Sequence, residues 1–488
     1  MRGTFTLLGL FLALNLFSQG YNITVTIDGY TEPELYLAYN YGDKQYIQDT
    51  VFAQENGSFI FSDDESLEAG IYLVVLAPDN AIFQFMIDDD DQEFEITTTA
   101  SDPSGKVAVS GHTLNSDFYA YLNFLTAQRP KANTINEGIK KAMEEGNAQA
   151  EEEGRKSLLQ INKDVEDYQA RILSNQPESL LSAVIKGGMQ IALPDFSGSE
   201  NLEFDRWMYT KEHWFDNLKM GDPRLLRTSL QFEKVNYYVE KLTAQHPDSI
   251  SSSVDRILSL VEPAEETFKF YLIHFLNKYA ASKVIGQDAV YVHIGEKYYK
   301  GGKANWSEEE QLKKIVDNVT TLKPLLLGKI APDLGLMELD VQATLPLKDE
   351  KDEHKRFKQK RVFKLHEIDA QYTILFIWDP DCGHCKKQMP DMISFYEKWN
   401  PKGVELVALC TEVYKDIPKC AETITEKGMF KWINAIDPYI QSKYKSIYDV
   451  RTTPQLYVLD ENKEIIMKKI DAAQLEEVFE ELLQNGAE

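Results

Sequence analysis

The chain has 488 residues, too many for one hydrophobic core, so roughly two to four domains are expected. It is 43% hydrophobic and 11% aromatic, which is globular material and excludes a disordered chain. A formal net charge of -26 would repel a phosphate backbone and argues against nucleic acid as a partner; apart from the short run Asp88–Asp91 the acidity is spread out and reads as a hydrated surface.

The first twenty residues, "MRGTFTLLGLFLALNLFSQG", set Arg2 before an apolar stretch from Leu7 to Leu16 and end on the small residues Ser18 and Gly20. That stretch is too short to span a bilayer, so residues 1–20 read as a signal peptide, with an uncleaved anchor helix as the alternative. No cysteine follows the apolar run, and no later stretch is long and apolar enough to cross a membrane. Export to a periplasm of the Gram-negative type is therefore expected, in soluble or peripherally associated form, where thiols can be oxidised.

Residues 21–111 alternate apolar and polar positions in "YNITVTIDGY" and "ELYLAYNY". "GSFIFS", "GIYLVVLA", "AIFQFMI" and "FEITTT" follow, separated by turn residues. Short strands with regular breaks predict an antiparallel sandwich or small barrel. "NGS" at Asn56–Ser58 matches a glycosylation acceptor but reads more simply as a hairpin turn.

Residues 112–327 are rich in Glu, Lys, Leu and Ala with apolar positions three and four apart, which predicts an all-α domain. The segment from Asn136 to Leu173 reads as one long helix or two stacked ones, and Pro177, Pro194, Pro223, Pro247 and Pro263 punctuate the rest. Trp207, Trp214, Tyr237 and Phe270 read as core, and His213 as an ordinary helix histidine rather than a metal ligand. No repeat is evident.

Residues 328–488 alternate strand and helix, which predicts an α/β domain. "LMELD" and "VFKLHEI" are candidate strands, and "YTILFIWD" is the apolar run of a buried central strand. A CxxC follows it and opens a helix. "GVELVALC" is a second buried strand, "CAETITEKGM" a helix, "TTPQLYVLD" and "EIIMKKI" strands, and "AAQLEEVFEELLQ" a closing amphipathic helix.

The four cysteines, Cys382, Cys385, Cys410 and Cys420, all lie in this last segment. A secreted protein that used disulfides as scaffold would spread more of them along the chain, so a local chemical use is favoured. Cys382 falls where a strand gives way to a helix N-terminus, whose free N–H groups and dipole favour a thiolate, the attacking species in disulfide exchange. A protonated His384 would favour it further. Cys385 lies one turn into the helix and can reach back to resolve a mixed disulfide. Zinc and an inert structural disulfide are the competing readings of the pair; Cys410 and Cys420, with nine residues between them, make no second zinc knuckle. Cys410 and Cys420 themselves read as two free thiols in preference to a second disulfide. No cofactor and no metal site is expected.

The segment from Ile330 to Asn485 resembles the thioredoxin superfamily, in particular the exported TlpA-like thiol–disulfide oxidoreductases. The resemblance rests on "APDLGL" at 331–336, "ILFIWDPDCGHCKKQMP" at 374–390 and "VRTTPQLYVLDENKEII" at 450–466. It implies that Cys382 is the nucleophile, Cys385 the resolving thiol, and Cys382–Cys385 a redox-active disulfide in the oxidised state. Trp378 would shield the site, with Gly383 and His384 as the spacer of the CGHC motif. The Thr453–Pro454 bond would be cis, its proline against the motif and the Thr453 backbone pairing with an extended substrate. The chain departs from the superfamily where it places Phe376 in the strand position of a buried carboxylate, and Gln388 where some relatives carry Glu. Asp379, Asp381 or water would then accept the Cys385 proton. The order of a β-rich and then a helical domain of unknown function also resembles exported TlpA-like proteins.

The sequence thus predicts a three-part protein that reduces or isomerises protein disulfides, recharged by a membrane-borne electron donor, and serving redox homeostasis. The β and helical parts are expected to bind a partner, hold two protomers together as a homodimer, or shield the site. The rivals are a peroxidase of the peroxiredoxin branch, whose Pro-x-x-x-Thr-x-x-Cys setting is absent before Cys382, and a binding protein with a thioredoxin scaffold.

Overall fold

A computed structural model describes residues 20–88 and 91–485, with side chains placed through 482. The expected signal peptide therefore lies outside the described residues except for Gly20. The chain divides into two compact units: residues up to Ala244 with Ser253–Tyr271, and Gln245–Ser252 with everything from Leu272.

The first unit begins with β1 (Tyr21–Asp28), β2 (Glu34–Tyr41), β3 (Lys44–Phe52), β4 (Ser58–Asp63), β5 (Gly70–Leu76), β6 (Ala81–Ile87), β7 (Glu93–Thr99) and β8 (Ala108–Ser110). They form two four-stranded sheets, ordered β4-β1-β7-β8 and β3-β2-β5-β6. Neighbours are antiparallel except β1 and β7, which run parallel. Period-two alternation decides the faces: β1 buries Tyr21, Ile23, Val25 and Ile27 and turns Asn22, Thr26 and Asp28 outward. The two sheets meet through apolar side chains, with Phe85 of β6 edge-on to Phe94 of β7 at 5.6 Å. Asn56 and Gly57 do make a turn, Gly57 at φ 80°, but β3 and β4 belong to different sheets. The turn is a corner between sheets and not a hairpin.

Thr113–Glu144 and Ala148–Asn175 are two helices broken at Gly146, which has φ 67°; the side chain of Asn147 caps the second. They lie antiparallel, with Phe124 stacked on Tyr168 at 4.5 Å. The buried Asn115 acts as a surrogate strand residue: its side chain takes the Met86 N–H at 2.6 Å and gives an N–H to the Met86 carbonyl at 2.9 Å. Asp88 is more than hydrated surface, because its carboxylate caps Leu180 N at 2.6 Å and pairs with Arg224. The aromatics expected in a core at Trp207, Trp214 and Tyr237 sit nearer the surface. Tyr237 is 47% exposed and stacks on Trp214, over which Lys234 lies at 4.8 Å. His213 pairs with Asp216 at 2.6 Å.

The second unit carries β9 (Gly335–Leu339), β10 (Gln359–Lys364), β11 (Tyr372–Trp378), β12 (Val404–Cys410), β13 (Ile433–Ile436), β14 (Gln455–Leu459) and β15 (Ile465–Lys468). They make one sheet in the order β10-β9-β13-β12-β11-β14-β15. β11, β12 and β13 are parallel, and the remaining pairs are antiparallel. β11 is buried on both faces, which is why its sequence is an unbroken apolar run. Ile374, Phe376 and Trp378 join one core with Met389 and Phe395 of helix Gly383–Trp399 and Leu475 and Phe479 of helix Ala472–Asn485. Leu375 and Ile377 join a second core with Leu334, Tyr448 and Tyr457. The apolar stretches at 336–340, 362–368 and 404–410 all coincide with strands or their ends, and β13 is a further short strand with no counterpart among the predicted ones.

The helical stretch from 272 to 327 lies in this second unit. Helical periodicity shows that a segment has an apolar face but not which core receives it. Here helices Asp288–Ile294 and Glu309–Leu322 sit with the C-terminal sheet, fastened by Lys468 of β15, which reaches Asp288 Oδ2 at 2.5 Å and the Leu325 carbonyl.

Candidate active site

Helix Gly383–Trp399 starts where β11 and a short turn end, and Cys382 is its N-cap. The turn is tied down by Asp379: one carboxylate oxygen accepts the Asp381 N–H at 2.8 Å, the other the Thr411 hydroxyl at 2.7 Å. The backbone N–H of Cys382 reaches the Asp379 carbonyl at 3.2 Å. The Cys382 sulfur then sits over the helix start, accepting the Cys385 N–H at 3.2 Å, while its thiol proton points to the Thr453 carbonyl, also at 3.2 Å. The Thr453–Pro454 bond is cis, as the resemblance implies.

The two sulfurs are unequal. Cys382 is partly exposed and Cys385 fully buried, and both are free thiols. For Cys382, burial by itself pushes the thiol up. Hydrogen bonds from the Cys385 thiol, the Thr453 side chain and the N–H groups of Cys385 and His384 outweigh that, and the group ends below an ordinary thiol. Cys385 is pushed up to about 12, first by burial and then by its hydrogen bond with Cys382; hydrogen bonds with the Asp379 backbone and the Thr453 side chain pull the other way, and the Cys382 charge adds a smaller upward push.

The other residues singled out from the sequence fall as follows. Trp378 is fully buried in the same core as Cys385, so it forms an inner wall rather than a surface cover. Gly383 is the exposed first helical residue, and an added Cβ would meet nothing within 4 Å. The spacer position is thus free of steric demand, and its chemistry is open to tuning. His384 is exposed and, with Thr453 and Pro454, lines the cleft beside the pair. Gln388 accepts the Ala472 N–H at 3.3 Å and so caps the closing helix. Phe376 is fully buried in the apolar core, confirming that this strand supplies no carboxylate there.

Cys410 and Cys420 are joined in a disulfide, which corrects the expectation of two free thiols. Cys410 ends β12 and Cys420 lies in the first turn of helix Ile417–Lys427, which folds back until the two Cα atoms are 6.4 Å apart. Both are buried, and a pair so engaged cannot complete a four-cysteine zinc site with Cys382 and Cys385.

Sequence reading missed Thr411 and Glu412. The register would have found them, because Cys410 pairs with Trp378 and places the next two residues beside the turn that carries Cys382. Asp379, Asp381 and Glu412 bring carboxylate oxygens within 4.8 Å of one another, the ligand spacing of a cation. Lys419 already supplies positive charge there, 3.7 Å from Asp381 and 3.9 Å from Glu412. Burial and the neighbouring Asp379, Asp416 and Asp381 nonetheless hold Glu412 above the usual carboxylate range.

Residues 329–468 match the AhpC/TSA family, 21–118 a domain of unknown function (DUF4369) and 193–321 another (DUF5106). The chain is 28% identical over 121 residues to the thiol-disulfide oxidoreductase ResA of Bacillus cereus, covering 25% of this chain and 66% of that one. It is 28% identical over 158 residues to the ResA of Bacillus thuringiensis, covering 32% and 77%. Among solved structures, a domain of a possible thiol-disulfide isomerase from Cytophaga hutchinsonii is 31% identical and covers 33% of this chain and 96% of its own, with a TM-score of 0.27. The C-terminal domain is thus a thioredoxin-like domain of the AhpC/TSA family, similar to TlpA-like thiol–disulfide oxidoreductases, and two domains of unknown function precede it.

Proposed function

We propose that the protein is a thiol–disulfide oxidoreductase that reduces or isomerises disulfides in other proteins through Cys382 and Cys385. The observation that carries this reading is the inequality of the two thiols: a lowered, partly exposed sulfur at the helix start and a buried, raised one behind it. The Cys382 thiolate attacks a substrate disulfide; one substrate sulfur leaves as thiolate and a mixed disulfide forms. Cys385 then loses its proton to solvent and attacks Cys382 Sγ. The second substrate sulfur leaves, and Cys382–Cys385 closes as a disulfide, so two electrons have passed to the substrate. The order of events follows from the electrostatics. While Cys382 is free, its hydrogen bond and charge help keep Cys385 protonated; once it is spent in a neutral mixed disulfide, those two causes vanish and Cys385 becomes easier to ionise.

Regeneration requires an external dithiol or a membrane-borne electron donor. Export is the compartment that fits, since a buried Cys410–Cys420 disulfide forms most readily outside the cytosol. Among the described residues no helix is long and apolar enough to cross a membrane. The β and helical domains are assigned partner binding or pairing of two protomers. The test is insulin reduction with dithiothreitol as donor: turnover is expected for the native chain and none for Cys382→Ser. Peroxide consumption by the reduced chain, without insulin reduction, would instead support the peroxidase reading.

A further inference from the structure

The cleft beside Cys382 has a wall that the α/β domain does not supply. His384, Thr453 and Pro454 line one part of a cleft of about 580 Å³, and Asp288, Leu322 and Leu325 of the preceding helical stretch line another. That volume is in the range of a ligand-binding cleft.

The wall is fastened rather than merely adjacent. Lys468 is almost wholly buried, with its ammonium held between Asp288 and the Leu325 carbonyl, and a buried lysine stripped of its partner is strongly destabilising. The Gly328 N–H donates to the Ile465 carbonyl at 2.9 Å, and the Ile465 N–H to the Lys329 carbonyl at 2.8 Å. Arg451, two residues before Thr453, donates to Asn318 Oδ1 at 2.8 Å. Helix Glu309–Leu322 is thus bound to the cis-proline loop, and Asp288, Leu325, Gly328 and Lys329 on either side of it are bound to the edge strand of the same sheet.

We propose that the 288–325 segment is a selectivity wall, which makes the redox site favour a disulfide carried on an extended polypeptide segment over a small-molecule disulfide. This deepens the thiol–disulfide reading above and rests on it. A small disulfide needs only the Cys382 end of the cleft, where the sulfur lies 3.2 Å from the Thr453 carbonyl. A polypeptide must lay the residues flanking its cysteine along the rest. The lining suits that occupant: Leu322, Pro454 and Ile470 offer apolar contact, and the exposed side chain of Gln474 offers an amide group of the kind that pairs with peptide backbone. Leu322 lines the cleft and is only half-buried, so its size alters the space open to an occupant.

The test is a size series at 322 in the full chain, Leu322→Ala and Leu322→Trp, with melting temperature as the check on folding. The quantity read is kcat/KM for a peptide disulfide divided by kcat/KM for a small aromatic disulfide. Leu322→Trp is expected to lower that ratio roughly tenfold, and Leu322→Ala to move it much less. A second arm needs no stability comparison. A photo-crosslinking residue at 322 in Cys385→Ala, with a cysteine peptide trapped on Cys382, is expected to label peptide residues near the cysteine. An unchanged ratio and no crosslink, with turnover by the native chain intact, overturn the wall alone. Absence of turnover of either disulfide by the native chain overturns the proposed function and this inference together.

Discussion

The second unit holds two cysteine pairs, and they differ in everything except the element. Cys382 and Cys385 are three positions apart at a helix start, one partly exposed, both reduced. Cys410 and Cys420 are ten positions apart, bridge a strand end to the next helix, and are closed and buried. Both pairs border the same apolar core. The difference teaches that reactivity is set by what surrounds the sulfur. A helix N-terminus and a hydroxyl stabilise a thiolate at 382, whereas an apolar strand end at 410 offers charge nothing. The two regions touch through Thr411, which follows one pair and holds the Asp379 turn that carries the other.

That contrast can be broken or sharpened by substitution. The largest effect is expected from Cys382→Ser, which removes the attacking sulfur and should lower insulin reduction by roughly three orders of magnitude or more. Cys385→Ser should leave attack intact and accumulate mixed disulfide, visible as added mass on non-reducing analysis. Opening the other pair with Cys410→Ala and Cys420→Ala should instead act on stability. Closing a loop of that length contributes about 2–3 kcal/mol, so the melting transition should fall by roughly 5–10 °C while the CxxC still turns over. If turnover vanished in a folded variant, the division of labour between the pairs would be wrong.

A smaller effect is read in pH. Because Cys382 is lowered, its thiolate persists below the pH at which an ordinary thiol ionises; alkylation of the reduced chain should label Cys382 there and spare Cys385, whose thiol is buried and pushed well up. Thr453→Ala removes one of the hydrogen bonds that lower Cys382, and should move its alkylation midpoint to higher pH. The smallest expected change is at the bridge. Thr411→Val deletes one hydroxyl bond to Asp379 and should cost about 1 kcal/mol of stability, measured by chemical denaturation.

Much of the C-terminal fold was legible because its strands are buried on both faces and read as apolar runs, and because Cys382 stands between such a run and a helical pattern. The active pair and its proline were legible for the same reason, since the motif residues are close in sequence or carried by a family signature. What could not be read depends on distance in space. β13 is four residues long and gains its identity from pairing with β9 and β12. The Cys410–Cys420 bond depends on how sharply the chain returns after β12, which spacing alone does not give. The assignment of 272–327 to the second unit rests on Lys468, Asp288 and Leu325 meeting, and nothing in the helical period of either segment announces that partner.

The most direct test is a redox titration of the native chain in graded dithiothreitol or glutathione, with all four cysteines followed by alkylation and mass spectrometry. The account predicts one reversible two-electron step at Cys382 and Cys385, complete while Cys410 and Cys420 stay closed. Reduction of Cys410–Cys420 at the same or a milder potential, or no exchange at Cys382 and Cys385, would contradict it.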